Sequence, residues 1–214
     1  NVCAVTQSEL PSVICAAEVC TEKAKLTEDL YHVYASGEHF AYTFSKHYGA
    51  FTSIKVDGEE QLEGRHVLSA FRAPTDNDRN IRARWENQNI WQGENLDCAF
   101  SKVYDCWVEE GSIKVRGSIA GVSRVPFLRY TLQADISKTG EITFTMNGTV
   151  REDTIWLPRL GYEFELPGKN CEFTYFGRGP LESYCDMCHA SLMGLYTSDA
   201  QSEYVEYVRP QEHG

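Results

Sequence analysis

The stretch Glu141-Ile142-Thr143-Phe144-Thr145-Met146-Asn147 puts Ile142, Phe144 and Met146 on one side and Thr143, Thr145 and Asn147 on the other. That period of two is what a half-buried β-strand requires, because successive side chains of a strand point to opposite faces. The same alternation recurs on both sides of it. Ile113, Val115 and Ile119 oppose Lys114, Arg116 and Ser118. Tyr130, Leu132 and Ala134 oppose Arg129, Thr131 and Gln133, and Phe40, Tyr42 and Phe44 follow the loop Ser36-Gly37-Glu38. Turn residues punctuate these runs at Tyr48-Gly49, Asp57-Gly58, Glu110-Gly111, Lys138-Thr139-Gly140 and Pro167-Gly168, so the segments are expected to join as antiparallel hairpins. Only Asp78 to Trp91 departs from this pattern. Ile81, Trp85 and Gln88 there have helical spacing, Asp76 or Asn77 is available as an N-cap, and Gly93 follows the end. The sequence therefore predicts an all-β protein with one short helix at most, its strands packed as a large antiparallel β-sandwich.

Composition supports a folded domain. The chain has 214 residues, 42% of them hydrophobic and 24% charged, which suits a packed core and excludes a disordered class. A formal charge of −11 repels phosphate backbones and anionic bilayers, so neither nucleic acid nor a membrane is an expected partner. No basic cluster leads into an apolar run, and no stretch approaches the roughly 20 apolar residues that span a bilayer. A cytoplasmic location is expected. The eight cysteines (Cys3, Cys15, Cys20, Cys98, Cys106, Cys171, Cys185 and Cys188) have irregular spacings and read as reduced thiols, several in apolar contexts. Most of the aromatic residues, 12% of the chain, are expected in the core, with some at turns and strand ends as possible sugar platforms.

Short motifs for independent chemistry are weak. Cys185-Asp186-Met187-Cys188-His189 matches a haem-attachment pattern over five residues only, and no second cysteine pair is spaced to complete a zinc site. Asp76-Asn77-Asp78-Arg79-Asn80 opens like a calcium loop, yet Ile81 stands where a glycine is needed and Asn87 where a bidentate glutamate is needed. Asn147-Gly148-Thr149 fits a glycosylation acceptor by chance. There is no serine elbow, phosphate loop or HExxH helix, so no metal site and no catalytic residue is assigned.

Four landmarks carry more weight. They are Phe71-Arg72-Ala73-Pro74-Thr75-Asp76-Asn77-Asp78 followed by Trp85, then Trp156-Leu157-Pro158-Arg159-Leu160-Gly161. The others are Tyr175-Phe176-Gly177-Arg178-Gly179-Pro180-Leu181-Glu182-Ser183-Tyr184-Cys185-Asp186 and Tyr207-Val208-Arg209-Pro210-Gln211-Glu212-His213-Gly214. In this order they resemble the last domain of large bacterial β-galactosidases of glycoside hydrolase family two, from about Leu30 to the end. The resemblance implies a galactose-mutarotase-like supersandwich over residues 30–214, truncated at its C-terminus, with residues 1–29 as a lead-in from a preceding domain or linker. It also implies a parent enzyme, a homo-oligomer, that hydrolyses terminal β-galactosides such as lactose with retention, through two glutamates. Those glutamates belong to a (β/α)8 barrel of roughly 250 residues, which this chain cannot contain. No cofactor is expected in this chain; the resemblance implies that any magnesium and sodium ions the parent needs are bound elsewhere.

On this basis Arg72, Asp76, Asn77, Asp78, Asn80 and Trp85 are the candidates for shaping the substrate entrance from outside the barrel, with Pro74 and the short polar side chains making a rigid loop. Gly177, Arg178, Gly179, Pro180, Glu182, Tyr184 and Asp186 are assigned an architectural part. The two glycines and Pro180 are expected to form a sharp turn in which Arg178 pairs with Glu182 or Asp186. The isolated chain is expected to be catalytically silent. The alternatives are a carbohydrate-binding module with affinity of its own, and an aldose epimerase on the same fold, which needs a histidine and a carboxylate converging on the sugar.

Overall fold

The computed structural model describes residues 20–86, 93–154, 156–168, 172–184, 188–209 and 211–212. It divides into two compact units, the larger Val19–Pro167 and the smaller holding Gly168–Gly214.

In the larger unit the first five strands are β1 (Leu26–Glu28), β2 (His32–Ser36), β3 (Phe40–Ser45), β4 (Ala50–Val56) and β5 (Glu59–Glu60), an antiparallel meander paired in chain order. Residues expected to precede the domain thus supply its first strand, with Leu26 opposite Ala35. After β6 (Val67–Ser69) comes a 3-10 turn at Asp76–Asn80 and one α-helix, α1 (Arg82–Trp85). A second meander follows: β7 (Ala99–Glu109), β8 (Ser112–Gly121), β9 (Leu128–Ile136) and β10 (Ile142–Val150), in the order β10-β9-β8-β7. Strand β11 (Gly161–Glu163) then returns to pair with β6.

The period-two faces turn inward as their spacing requires. Phe40, Tyr42 and Phe44 of β3 and Phe51 of β4 are buried, as are Ile113, Val115 and Ile119 of β8 and the five alternate residues from Leu128 to Ile136 of β9. All belong to one apolar cluster, so the two meanders close on a single core as a sandwich. Burying each large side chain contributes about 2 kcal/mol, which is why one core suffices for a unit of this size. Edge strand β10 keeps Ile142, Phe144 and Met146 only half-buried. Between the sheets, the Tyr42 hydroxyl donates to the Gly140 carbonyl at 2.7 Å; ahead of β1, Lys23 Nζ meets Asp135 at 2.8 Å and Ser112 Oγ at 2.6 Å on the second meander. No helix among the described residues is long and apolar enough to cross a membrane.

Turn chemistry explains the hairpins. Asp57 and Gly58 adopt φ of 50° and 85°, and Glu110 and Gly111 adopt 52° and 70°, the left-handed pair that a two-residue turn between twisted strands demands. The turns at Tyr48-Gly49 and Lys138-Thr139-Gly140 likewise close β3 on β4 and β9 on β10. Pro167-Gly168 differs: it joins no hairpin and falls where the two units divide. A proline and glycine break either kind of element, and nothing local distinguishes a hairpin from a boundary.

The smaller unit is built on β12 (Glu172–Gly179) paired with β13 (Leu192–Asp199), with a 3-10 turn at Cys188–Ala190 between them. Among the described cysteines, Cys20, Cys98 and Cys106 are free thiols. Burial pushes the Cys106 thiol up to about 11, so it packs as an inert small hydrophobe. Cys3, Cys15, Cys171 and Cys185 lie outside the described residues.

Candidate functional site

The loop entered by Pro74 is tied together through one oxygen. Asp78 Oδ2 accepts from the Thr75 N–H and the Thr75 hydroxyl, both at 2.8 Å, and from Arg72 Nη1 at 2.6 Å. Reach-back from the third residue of the turn to the N-cap amide is half of a capping box, and it makes Thr75 the N-cap in place of Asp76 or Asn77. The sequence offered three adjacent Asx side chains; only Asp78 stands three residues after a threonine. Burial alone raises the Asp78 pKa, but the bonds from Arg72 and Thr75 and the guanidinium charge outweigh it and hold the carboxyl below its usual range.

Arg72 also donates to the Ala73 carbonyl at 3.0 Å and lies 5.7 Å from the centre of the Trp85 ring. Trp85, fully buried on α1, donates its Nε1–H to the Trp156 carbonyl at 3.1 Å. The helix ends at Trp85 with Glu86 as its C-cap, shorter than the spacing to Gln88 predicted; Asn87 to Gln92 lie outside the described residues. Arg72, Asp78 and Trp85 therefore form one half-buried assembly, while Asp76, Asn77 and Asn80 project from it as exposed polar side chains. Exchanging Asp78 for asparagine leaves the Arg72 charge without its carboxylate in a site where both side chains are under a fifth exposed. That substitution is expected to cost about 2 kcal/mol of unfolding free energy in urea titration. A loss below about 0.5 kcal/mol, the level of an ordinary surface change, contradicts this account of the loop.

In the smaller unit Gly177 and Gly179 are not turn residues but the last in-strand positions of β12, and the chain leaves the strand through the cis peptide Gly179-Pro180. Gly179 is needed for close approach: a Cβ there meets the Tyr175 hydroxyl at 2.3 Å and the Tyr196 ring at 2.8 Å. Arg178 turns its Nη1 to the carbonyls of Cys188 and Ser191, each at 3.3 Å, instead of pairing with Glu182. Glu182 instead accepts from the Tyr207 hydroxyl, whose pKa this bond raises. Tyr184 is half-buried. Asp186 lies outside the described residues.

Sequence reasoning missed His66. It is 2% exposed and surrounded by Phe51, Phe144, Tyr162 and Phe164, with ring centres 5.2 to 5.8 Å away. Its Nδ1 accepts the Phe51 N–H at 3.1 Å, and burial lowers its pKa to about 4. A histidine between Arg65 and Val67 gives no signal in one sequence, because the rings that enclose it come from β4, β10 and β11. His39 and Asp57 do meet at 2.8 Å, but on neighbouring turns with 70% of each side chain exposed, not in a concave site. No group of three or more metal-ligating side chains occurs among the described residues.

Residues 36–214 match the family model described as "Beta galactosidase small chain". The chain is 29% identical over 194 residues to a β-galactosidase of Actinobacillus pleuropneumoniae, covering 89% of itself and 19% of that relative. It is 30% identical to one of Lactobacillus delbrueckii subsp. bulgaricus, covering 88% and 18%, and 31% identical to one of Kluyveromyces lactis, covering 97% and 21%. The chain thus spans about a fifth of the length of these curated relatives. With the sandwich from β3 onward, the Arg72–Asp78–Trp85 assembly and the Glu182 turn all inside the matched region, the chain belongs to the β-galactosidase small-chain family.

Proposed function

We propose that this chain is the small-chain region of a β-galactosidase that hydrolyses terminal β-galactosides, lactose among them. One observation carries the reading: nearly the whole chain aligns with a fifth of proteins named β-galactosidase. In this reading the sandwich, including the strand Leu26–Glu28 that precedes residue 30, belongs to a galactose-mutarotase-like domain. The two glutamates of the retaining reaction sit in a (β/α)8 barrel outside it, together with any magnesium and sodium ions, in a cytoplasmic homo-oligomer. The part left to this chain is structural. Its rigid Arg72 to Asn80 loop, held by Asp78, presents Asp76, Asn77 and Asn80 at the substrate entrance, which fits their exposure.

A second reading, carbohydrate affinity in the chain itself, is favoured by Trp156, which is 72% exposed and whose backbone carbonyl accepts from Trp85. Both are tested together. The purified chain is expected to hydrolyse nitrophenyl β-galactoside no faster than a blank, while a polypeptide that joins it to its barrel turns the substrate over. Turnover by the chain alone overturns the structural assignment. A saturable galactose shift in NMR titration, without turnover, selects the binding module.

A further inference from the structure

The outer face of the second meander carries an unassigned groove of about 460 Å³, within the size range of ligand sites, lined by Tyr104, Arg116, Arg129, Thr131 and Asn147 among others. Its cations are out of keeping with a chain of net charge −11. Arg116 has one carboxylate, Asp105 at 3.5 Å, in a pair that is more than half exposed on both sides and therefore easily exchanged. Among the described residues no carboxylate pairs with Arg129 or with Lys102, whose Nζ lies 5.7 Å from the centre of the Tyr104 ring. The Tyr104 hydroxyl is held at 2.8 Å by Ser118, the residue that pairs with Arg129 across β8 and β9. That bond, with the nearby charges of Arg129 and Lys102, lowers the Tyr104 pKa, so the groove favours negative charge.

Register supplies the geometry of the ligand. Arg116 pairs with Thr131, so Arg116 and Arg129 stand diagonally across adjacent strands on one face. Such diagonal positions are about 7–8 Å apart. Alternate side chains of an extended peptide are separated by about 7 Å, so two carboxylates in a Glu-x-Glu segment meet the two guanidinium groups in step. Thr131 and Asn147, directly opposite one another on β9 and β10, offer hydroxyl and amide groups to the backbone between them. We infer that this face is a docking groove for an acidic peptide segment in extended form, held by Arg116 and Arg129.

The test uses the full chain labelled with nitrogen-15 and the capped peptide Glu-Thr-Glu-Thr-Glu, against its Gln-for-Glu counterpart and against citrate. Saturable shifts are expected at the amides of Tyr104, Thr131 and Asn147 with the acidic peptide and none with the neutral one. Raising salt from about 50 to 300 mM is expected to weaken binding steeply. Arg129→Gln, at an exposed position whose loss leaves the melting temperature unchanged, is expected to weaken it about fivefold, as is Lys102→Gln to a smaller degree. The proposal is overturned if no saturable shift occurs, if Arg129→Gln binds as well as the parent chain, or if citrate produces the same shifts as tightly, which makes this a small-anion site.

Discussion

Replacing Trp85 by alanine is expected to lower the unfolding free energy by about 4 kcal/mol, the range for deleting a large ring from a closed site. Three losses combine. The ring is fully buried in the main core cluster, its Nε1–H is the donor to the Trp156 carbonyl, and the Arg72 guanidinium loses the face it lies against. Because α1 has only four residues, it has no helical stability of its own, and the tryptophan is what fixes it to the sandwich. Urea unfolding should show the midpoint fall with little change in slope. Trp85→Phe keeps most of the burial and loses the donor, so it is expected to cost about 1–2 kcal/mol. If the alanine variant loses less than about 1 kcal/mol, the helix is not anchored in this way.

The second large effect is on pH. With Nδ1 accepting from Phe51, the neutral His66 ring carries its proton on Nε2, which is buried with no partner among the described residues. Protonation puts a second proton where the Phe51 N–H already points and sets a charge among four rings. The folded pKa of about 4 lies below the unfolded value of 6.5. As pH falls through 6.5 the unfolded chain takes up a proton that the folded chain refuses, so stability declines until about pH 4, by roughly 3 kcal/mol in all. Above pH 6.5 the term vanishes. Asp78 acts in a lower window: its carboxyl is held down in the fold, so its stabilisation is lost only below the ordinary carboxylate range. His66→Asn keeps an acceptor for Phe51 without a titrating ring. It is expected to flatten the stability profile between pH 6.5 and 4 by up to one proton, whatever its absolute stability. An unchanged slope in that variant rules His66 out as the source.

The fold was legible because a two-residue period states which face is buried without reference to any distant residue. Phe40, Tyr42 and Phe44, or Leu128 through Ile136, need only their own strand to be read. Hairpin closure was legible at Asp57-Gly58 for the same reason: the left-handed pair is a local requirement. What stayed hidden depends on partners remote in sequence. Trp85 bonds a carbonyl 71 residues away, His66 is enclosed by strands as distant as β11, and Gly177 and Gly179 are in-strand because they pair with Gly194 and Leu192 of β13. The four landmarks turn out to be joined in pairs: Trp85 of the first to Trp156 of the second, and Glu182 of the third to Tyr207 of the fourth. Each pair lies within one unit.

The division at Pro167-Gly168 bears on cooperativity. Every residue of the main core cluster lies between Ala24 and Tyr162, and the smaller unit is founded on a two-stranded ribbon. Among the described residues that ribbon buries far less apolar area than the two-sheet sandwich does. Melting therefore need not be a single transition, and one midpoint for the whole chain mixes two events. Trp85 sits in the core of the larger unit, so its near-ultraviolet signal separates the unfolding of the sandwich from the fraying of the ribbon.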